Sequence, residues 1–299
     1  MKLLITGAFT NDKTQLNEIA KLGHDVVFMQ NESDPLPIKA AEIEGVICNG
    51  LFLHHPIEGF SSLKYIQLTS AGFDRVPMDY VKEHNIRIFN ARGVYSVPMA
   101  EFAVCGVLQL YKKSEFFSEN QKAHKWEKHR NILELFGKTV CIVGCGSVGT
   151  ECAKRFAAFG CRITGVDISP YENDSFEKIY NLEEIDQVLP ECDVVLLTLP
   201  LTEITKHLFC YERLAKIKRG AVLVNIARGA VVETNALIAA LNDNLGGAVL
   251  DVLETEPLKE SSPLWDMENV IITPHNSFVG ENNRLRLTEC VIKNLNACV

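Results

Sequence analysis

The chain has 299 residues, of which 47% are hydrophobic and 23% charged, and it carries a formal net charge of −8. That length suggests two domains, and that apolar content supports a large buried core and argues against disorder. The acidic balance argues against a nucleic-acid surface, and no apolar stretch approaches the roughly 20 residues of a membrane span. The start, MKLLITGAFT, is too short in apolar residues for a signal peptide. The ten cysteines sit singly inside apolar runs, as at Cys105, Cys161 and Cys192, where a thiol behaves as a small hydrophobe. The nearest pair, Cys141 and Cys145, has no second pair to complete a zinc site, so no metal is expected. A cytoplasmic protein without nucleic-acid or membrane partners is the expectation.

In chain order, KLLIT, DVVFM, EGVICNG, LKYIQLT and IRIFN have strand character, and polar or helical stretches such as NDKTQLNEIAKLG separate them. After residue 97, MAEFAVCGVLQLYKKSEFF is long and periodic enough for one helix of several turns. The charged segment from Asn120 to Leu135, with Trp126 inside it, is expected to cross the surface. From Lys138 a second series of apolar runs begins: TVCIVG, CRITGVD, CDVVLLTLP, AVLVNIA, GAVLDVL and NVIITP. A last helix is expected over NNRLRLTECVIKNLNA. Such alternation predicts βαβ units and an α/β fold of two Rossmann-like, doubly wound, parallel-sheet domains.

The second series opens with TVCIVGCGSVGTECAKRFAAFG, in which Gly144, Gly146 and Gly149 fit G-x-G-x-x-G between a strand and a helix. The first glycine permits the tight turn, the second lets backbone approach a pyrophosphate, and the third lets helix pack on strand. The next strand ends in Asp167, placed to accept hydrogen bonds from an adenosine ribose. A carboxylate there repels a 2′-phosphate, and Ile168-Ser169-Pro170 supplies no cation, so NAD is favoured over NADP. A methyltransferase would share these features, though not the ones that follow.

Further on, three strand ends each set down a polar residue. Arg228 is either a surface charge or a fork that grips a carboxylate in two parallel hydrogen bonds. Asp251 and Glu256 flank a second strand end and, taken singly, would read as solvated acids. His275, in IITPHNSF, is either a packing residue at a core edge or a proton donor at a site. Ligands of parallel sheets bind at the C-terminal edges of strands, and a meeting of arginine, carboxylate and histidine there suits reduction of an oxo acid. A carboxylate beside an imidazole stabilises imidazolium and fixes the ring tautomer.

Taken with LTSAGFDRV (68–76), NARGVYSVPMAEFAV (90–104), LTLPLTEITKHLF (197–209), VNIARGAVVETNAL (224–237) and LDVLETEPL (250–258), the chain resembles the NAD-dependent D-isomer-specific 2-hydroxyacid dehydrogenases over nearly its whole length. That resemblance implies a discontinuous substrate domain, 1–97 plus 277–299, an NAD-binding domain, 98–276, and an active site in the cleft between them. It implies that Arg228 binds substrate, His275 is the acid–base and Glu256 orients it. It also implies that the amides of Ser70, Ala71 and Gly72 receive the substrate carboxylate. Gly144, Gly146, Ser147, Val148, Gly149, Asp167, Leu199, Pro200, Thr205, Ile226, Ala227, Asp251 and His275 would line the cofactor, with Asp251 near the nicotinamide carboxamide. The helix from about Pro98 would pack against a second subunit in a homodimer.

The implied reaction interconverts a 2-oxo acid and a D-2-hydroxy acid. Two alternatives stay open: an NADH-responsive interaction protein without turnover, and phosphoglycerate dehydrogenase as the specific activity. The stretch NSFVGENN lacks the glycine- and threonine-rich continuation of phosphoglycerate enzymes. Arg75, His54 and His55 are either phosphate ligands or solvated surface groups.

Overall fold

In the computed structural model, which describes residues 1–297, each apolar run expected as a strand forms one. The chain divides into two compact units: Met1–Tyr95 together with the segment from Gly280 onward, and Ser96–Val279.

The first unit holds β1 (Lys2–Thr6), β2 (Asp25–Met29), β3 (Gly45–Cys48), β4 (Tyr65–Leu68) and β5 (Arg87–Phe89), parallel throughout in the order β2-β1-β3-β4-β5. Successive side chains of a strand point to opposite faces. Leu3 and Ile5 therefore enter one cluster with Ile19, Leu287, Val291 and Leu295, while Leu4 enters another with Ile43, Val46 and Ile66. With both faces covered, the strand reads as a continuous apolar run rather than an alternating one. The helix Lys13–Lys21 starts at Asp12, whose side chain accepts the Thr14 N–H at 2.8 Å. The helix Asn283–Asn296 buries Leu287, Val291 and Leu295, spaced four apart along one stripe.

The second unit holds β6 (Thr139–Val143), β7 (Arg162–Asp167), β8 (Lys178–Asn181), β9 (Val194–Leu197), β10 (Val222–Asn225), β11 (Gly247–Leu250) and β12 (Val270–Ile272). All are parallel, in the order β12-β11-β10-β9-β6-β7-β8. The chain runs outward from β6 to β8, then restarts at β9 on the other side of β6. That reversal opens a crevice at the carboxyl ends of β6 and β9, where doubly wound sheets take their ligands. The helix Ser96–Tyr111 lies on β11, and a Cβ on its Gly106 would meet Val249 Cγ1 at 2.6 Å.

Three local expectations need correction. The helix after residue 97 ends at Tyr111, and a second helix, Ser114–Lys122, follows a left-handed Lys113 with φ 54°. The cause is competition: the Leu133 N–H donates to the Tyr111 carbonyl at 3.1 Å, the acceptor that a continuing helix would need. Cys105, expected in an apolar setting, is exposed, because helical periodicity turns it away from buried Ala103, Val104 and Val107. Strand β8, KIYN, is an addition to the expected set; it is an edge strand with Lys178 exposed and the other three residues only partly buried. Beyond Lys122 the charged segment is irregular and Trp126 is 99% exposed. Among the described residues no helix is long and apolar enough to cross a membrane.

His24 is 8% exposed, and neither ring nitrogen has a hydrogen-bond partner among the described residues. Burial, then the N-terminal charge, lowers its pKa below the ordinary 6.5. The unfolded chain thus binds a proton that the folded chain resists, and stability falls as pH drops below about 6.5. Thermal midpoints across pH 7 to 5 should decline for the native chain and flatten in His24→Leu; parallel curves would contradict this.

Candidate functional site

One edge of one sheet carries most of the expected residues. The glycine loop follows β6, Asp167 ends β7, Leu199 and Pro200 follow β9, Arg228 follows β10, Asp251 and Glu256 follow β11, and His275 follows β12. Since β10, β11 and β12 are neighbours, Arg228, Asp251, Glu256 and His275 leave three adjacent strand ends.

His275 is held by two acids. Its backbone adopts the left-handed conformation, φ 52°, which costs a non-glycine residue about 1–2 kcal/mol. The His275 N–H donates to the Asp251 carbonyl at 2.8 Å. The Asp251 side chain, 1% exposed, brackets the same turn. Its Oδ1 accepts from Thr273 Oγ1 at 2.6 Å and from the Asn276 N–H at 2.7 Å, and its Oδ2 accepts from the Ser277 N–H at 2.9 Å. The ring itself meets Glu256, with Nδ1 to Oε2 at 3.0 Å. The other Glu256 oxygen accepts the Leu253 N–H at 3.0 Å, so the acid is anchored to its own loop while it holds the imidazole.

Arg228 is coupled to this loop through its neighbour. A Cβ on Gly229 would lie 1.9 Å from the Leu253 carbonyl carbon and 2.0 Å from its oxygen, so only glycine fits. The Arg228 Nη1 donates to the Ala227 carbonyl at 2.7 Å, which fixes one arm of the guanidinium. Glu254 adds a second brace that the sequence did not reveal. It accepts from Thr234 N–H at 3.1 Å and Thr234 Oγ1 at 2.7 Å and pairs with His207 Nε2 at 2.6 Å. Burial works against its charge, yet the bonds from Thr234 and His207 outweigh that and hold its carboxyl below the ordinary range.

The glycine loop has the shape a dinucleotide needs. Gly144 has φ +100°, and a Cβ there would sit 2.7 Å from the Leu199 nitrogen; one on Gly149 would sit 2.2 Å from the Gly144 oxygen. Gly146 caps the helix Ser147–Ala158, whose first turn holds Ser147, Val148 and Gly149. Asp167 accepts the Cys145 N–H at 2.7 Å and the Ser169 N–H at 3.0 Å. Burial, then the Asp167 charge, pushes the Cys145 thiol up to about 12, which keeps it neutral. Thr205 is completely buried, donating to the Pro200 carbonyl at 2.7 Å and accepting the Thr202 N–H at 2.8 Å, so it shapes the turn after β9. Ile226 and Ala227, which follow β10, are also buried. Tyr171 and Asn173 form a clasp that sequence reasoning missed: Tyr171 donates to the Cys145 carbonyl, and Asn173 Nδ2 donates to Tyr171 and to Thr150 at 3.1 Å each. The only signal was an aromatic four residues after the acidic strand end. Ser70, Ala71 and Gly72 follow β4 in the first unit.

The Gly229 contact makes a direct prediction. Gly229→Ala should lower stability by about 1–3 kcal/mol and depress any turnover further, because a displaced Leu253 moves Glu256. Thermal unfolding with steady-state assays checks this; an unchanged midpoint and rate would show the contact to be soft.

Comparison with known proteins places this arrangement. Residues 104–277 match the family described as D-isomer specific 2-hydroxyacid dehydrogenase, NAD binding domain. A glyoxylate reductase of Thermofilum pendens is 36% identical over 242 residues, 78% of this chain and 71% of that protein. A solved D-isomer specific 2-hydroxyacid dehydrogenase family protein of Aeromonas salmonicida has a TM-score of 0.80 at 29% identity, covering 99% of this chain and 96% of that one. D-lactate dehydrogenase of Aquifex aeolicus, solved with NAD and lactic acid, has a TM-score of 0.77 at 26% identity over 99% and 95%. These likenesses set aside the methyltransferase reading: the chain belongs to the D-isomer specific 2-hydroxyacid dehydrogenases.

Proposed function

We propose that the protein reduces a small 2-oxo acid to the D-2-hydroxy acid with NADH, His275 giving the proton, Glu256 orienting it and Arg228 binding the substrate. The observation that carries this reading is the Glu256–His275 pair at 3.0 Å on a ring that keeps 45% of its side chain exposed. With Nδ1 engaged by Glu256, Nε2 is the nitrogen left to meet a carbonyl oxygen. Arg228 acts where negative charge develops on that oxygen, and the amides of Ser70, Ala71 and Gly72 receive the carboxylate. In the reverse direction His275 takes the proton from the hydroxyl.

The glycine turn and the acidic strand end fit a dinucleotide, which supplies the hydride when bound. Gly144, Gly146, Ser147, Val148 and Gly149 would hold the pyrophosphate and Asp167 the ribose. Leu199, Pro200, Thr205, Ile226 and Ala227 would line the remainder. Asp251 would lie near the nicotinamide carboxamide while fixing the His275 turn through the bonds that both its oxygens accept there. The Asp167 carboxylate, followed by the uncharged Ile168-Ser169-Pro170, favours NADH over NADPH. The helix Ser96–Tyr111, with exposed Phe117 just beyond it, would pack against a second copy in a homodimer.

A panel of glyoxylate, pyruvate, hydroxypyruvate and branched 2-oxo acids tests the activity: NADH absorbance should fall with at least one and fall more slowly with NADPH. NADH binding with no turnover on any would instead favour a nucleotide-responsive interaction protein. His275→Ala should lower turnover by about 10²–10⁴ with NADH affinity kept, whereas Arg228→Ala should damage both KM and kcat. Equal turnover in the His275 variant would place the proton donor elsewhere.

A further inference from the structure

We propose that Asn90 and Tyr95 are positioning residues that turn the three amides of Ser70, Ala71 and Gly72 toward an anionic ligand, here the substrate carboxylate; this deepens the reading above and rests on it. In a trans peptide the C=O of one residue and the N–H of the next lie in one plane and point in opposite directions. Fixing a carbonyl therefore fixes the following amide. Tyr95 Oη donates to the Thr69 carbonyl, the Ala91 N–H to the Ser70 carbonyl at 2.9 Å, and Asn90 Nδ2 to the Ala71 carbonyl at 2.6 Å. Three consecutive carbonyls are thus held by one segment, 90–95, and the amides they orient are those of Ser70, Ala71 and Gly72. No acceptor among the described residues takes any of those three N–H groups.

Ala71 is exposed and Ser70 and Gly72 are half-buried, so these unclaimed amides are open to a ligand. Their partial positive charges suit a carboxylate, and a loop held from behind loses little freedom on binding. The clamp is itself anchored. Arg286 Nε donates to the Val94 carbonyl at 2.8 Å and Cys290 Sγ approaches the Asn90 carbonyl at 3.7 Å, both from the helix Asn283–Asn296. Of the three clamping donors, only the Asn90 amide and the Tyr95 hydroxyl are side chains, so these two can be removed without touching the backbone.

The test titrates the full-length protein, saturated with NADH, with oxamate, an unreactive 2-oxo acid analogue, and follows hydrogen exchange over residues 68–76. The native chain should show protection there. Tyr95→Phe and Asn90→Ala should each bind oxamate roughly tenfold more weakly and raise KM for glyoxylate by a similar factor, with NADH affinity and the thermal midpoint nearly unchanged. Asn90→Gln, which keeps the donor, should recover part of the loss. Protection of 68–76 in the native chain with undiminished oxamate affinity in both variants would overturn the positioning role alone. Oxamate binding that leaves 68–76 unprotected would overturn the carboxylate reading of the loop and this inference with it.

Discussion

A buried carboxylate at the end of β11 holds the site together. Asp251 is withdrawn from water, and an isolated charge there would cost several kcal/mol. Its compensation comes from Thr273, Asn276 and Ser277, the residues on either side of His275. Hydrogen bonds to a charged group contribute about 1.5–3 kcal/mol each, enough to hold His275 in a backbone conformation that L-residues avoid. The His275 ring is therefore placed by an acid that does not touch it, while Glu256 holds its Nδ1.

The second constraint is steric. Gly229 brings the Arg228 turn into backbone contact with Leu253, and Leu253 is tied to Glu256. Arginine, carboxylate and imidazole thus leave separate strands yet are referenced to one short loop. The parallel sheet makes this arrangement possible, because every strand delivers its next residue to the same edge. The same edge, where strand order reverses at β6 and β9, also carries the glycine turn, so imidazole and glycine turn share one scaffold.

Much of this was legible in the sequence for a physical reason. Strands buried on both faces leave uninterrupted apolar runs, and a close backbone approach leaves glycine, so β1 to β7, β9 to β12 and the Gly144–Gly149 turn could be read directly. Strand β8 could not, since its polar edge residues carry no such pattern. The break after Tyr111 depends on the Tyr111 carbonyl being claimed by the Leu133 N–H, a long-range competition that local periodicity does not contain. Cys105 was misplaced because an apolar window hides which face of a helix a residue occupies. At the site, residue types were readable while their partners were not: Asp251 read as a solvated acid or a cofactor neighbour, and its grip on residues 273–277 exists only in three dimensions. The Glu254–His207 brace, the Tyr171 clasp and the 90–95 clamp are likewise contacts between segments distant in sequence.

The central claim is that a Glu256-tethered imidazole delivers the proton to the oxo group. A crystal structure of the protein with NADH and oxamate tests it most directly. The account predicts His275 Nε2 within about 2.6–3.2 Å of the oxamate oxo oxygen, with Nδ1 still on Glu256. An imidazole turned away from the ligand, or an oxo oxygen met by another donor, would contradict it.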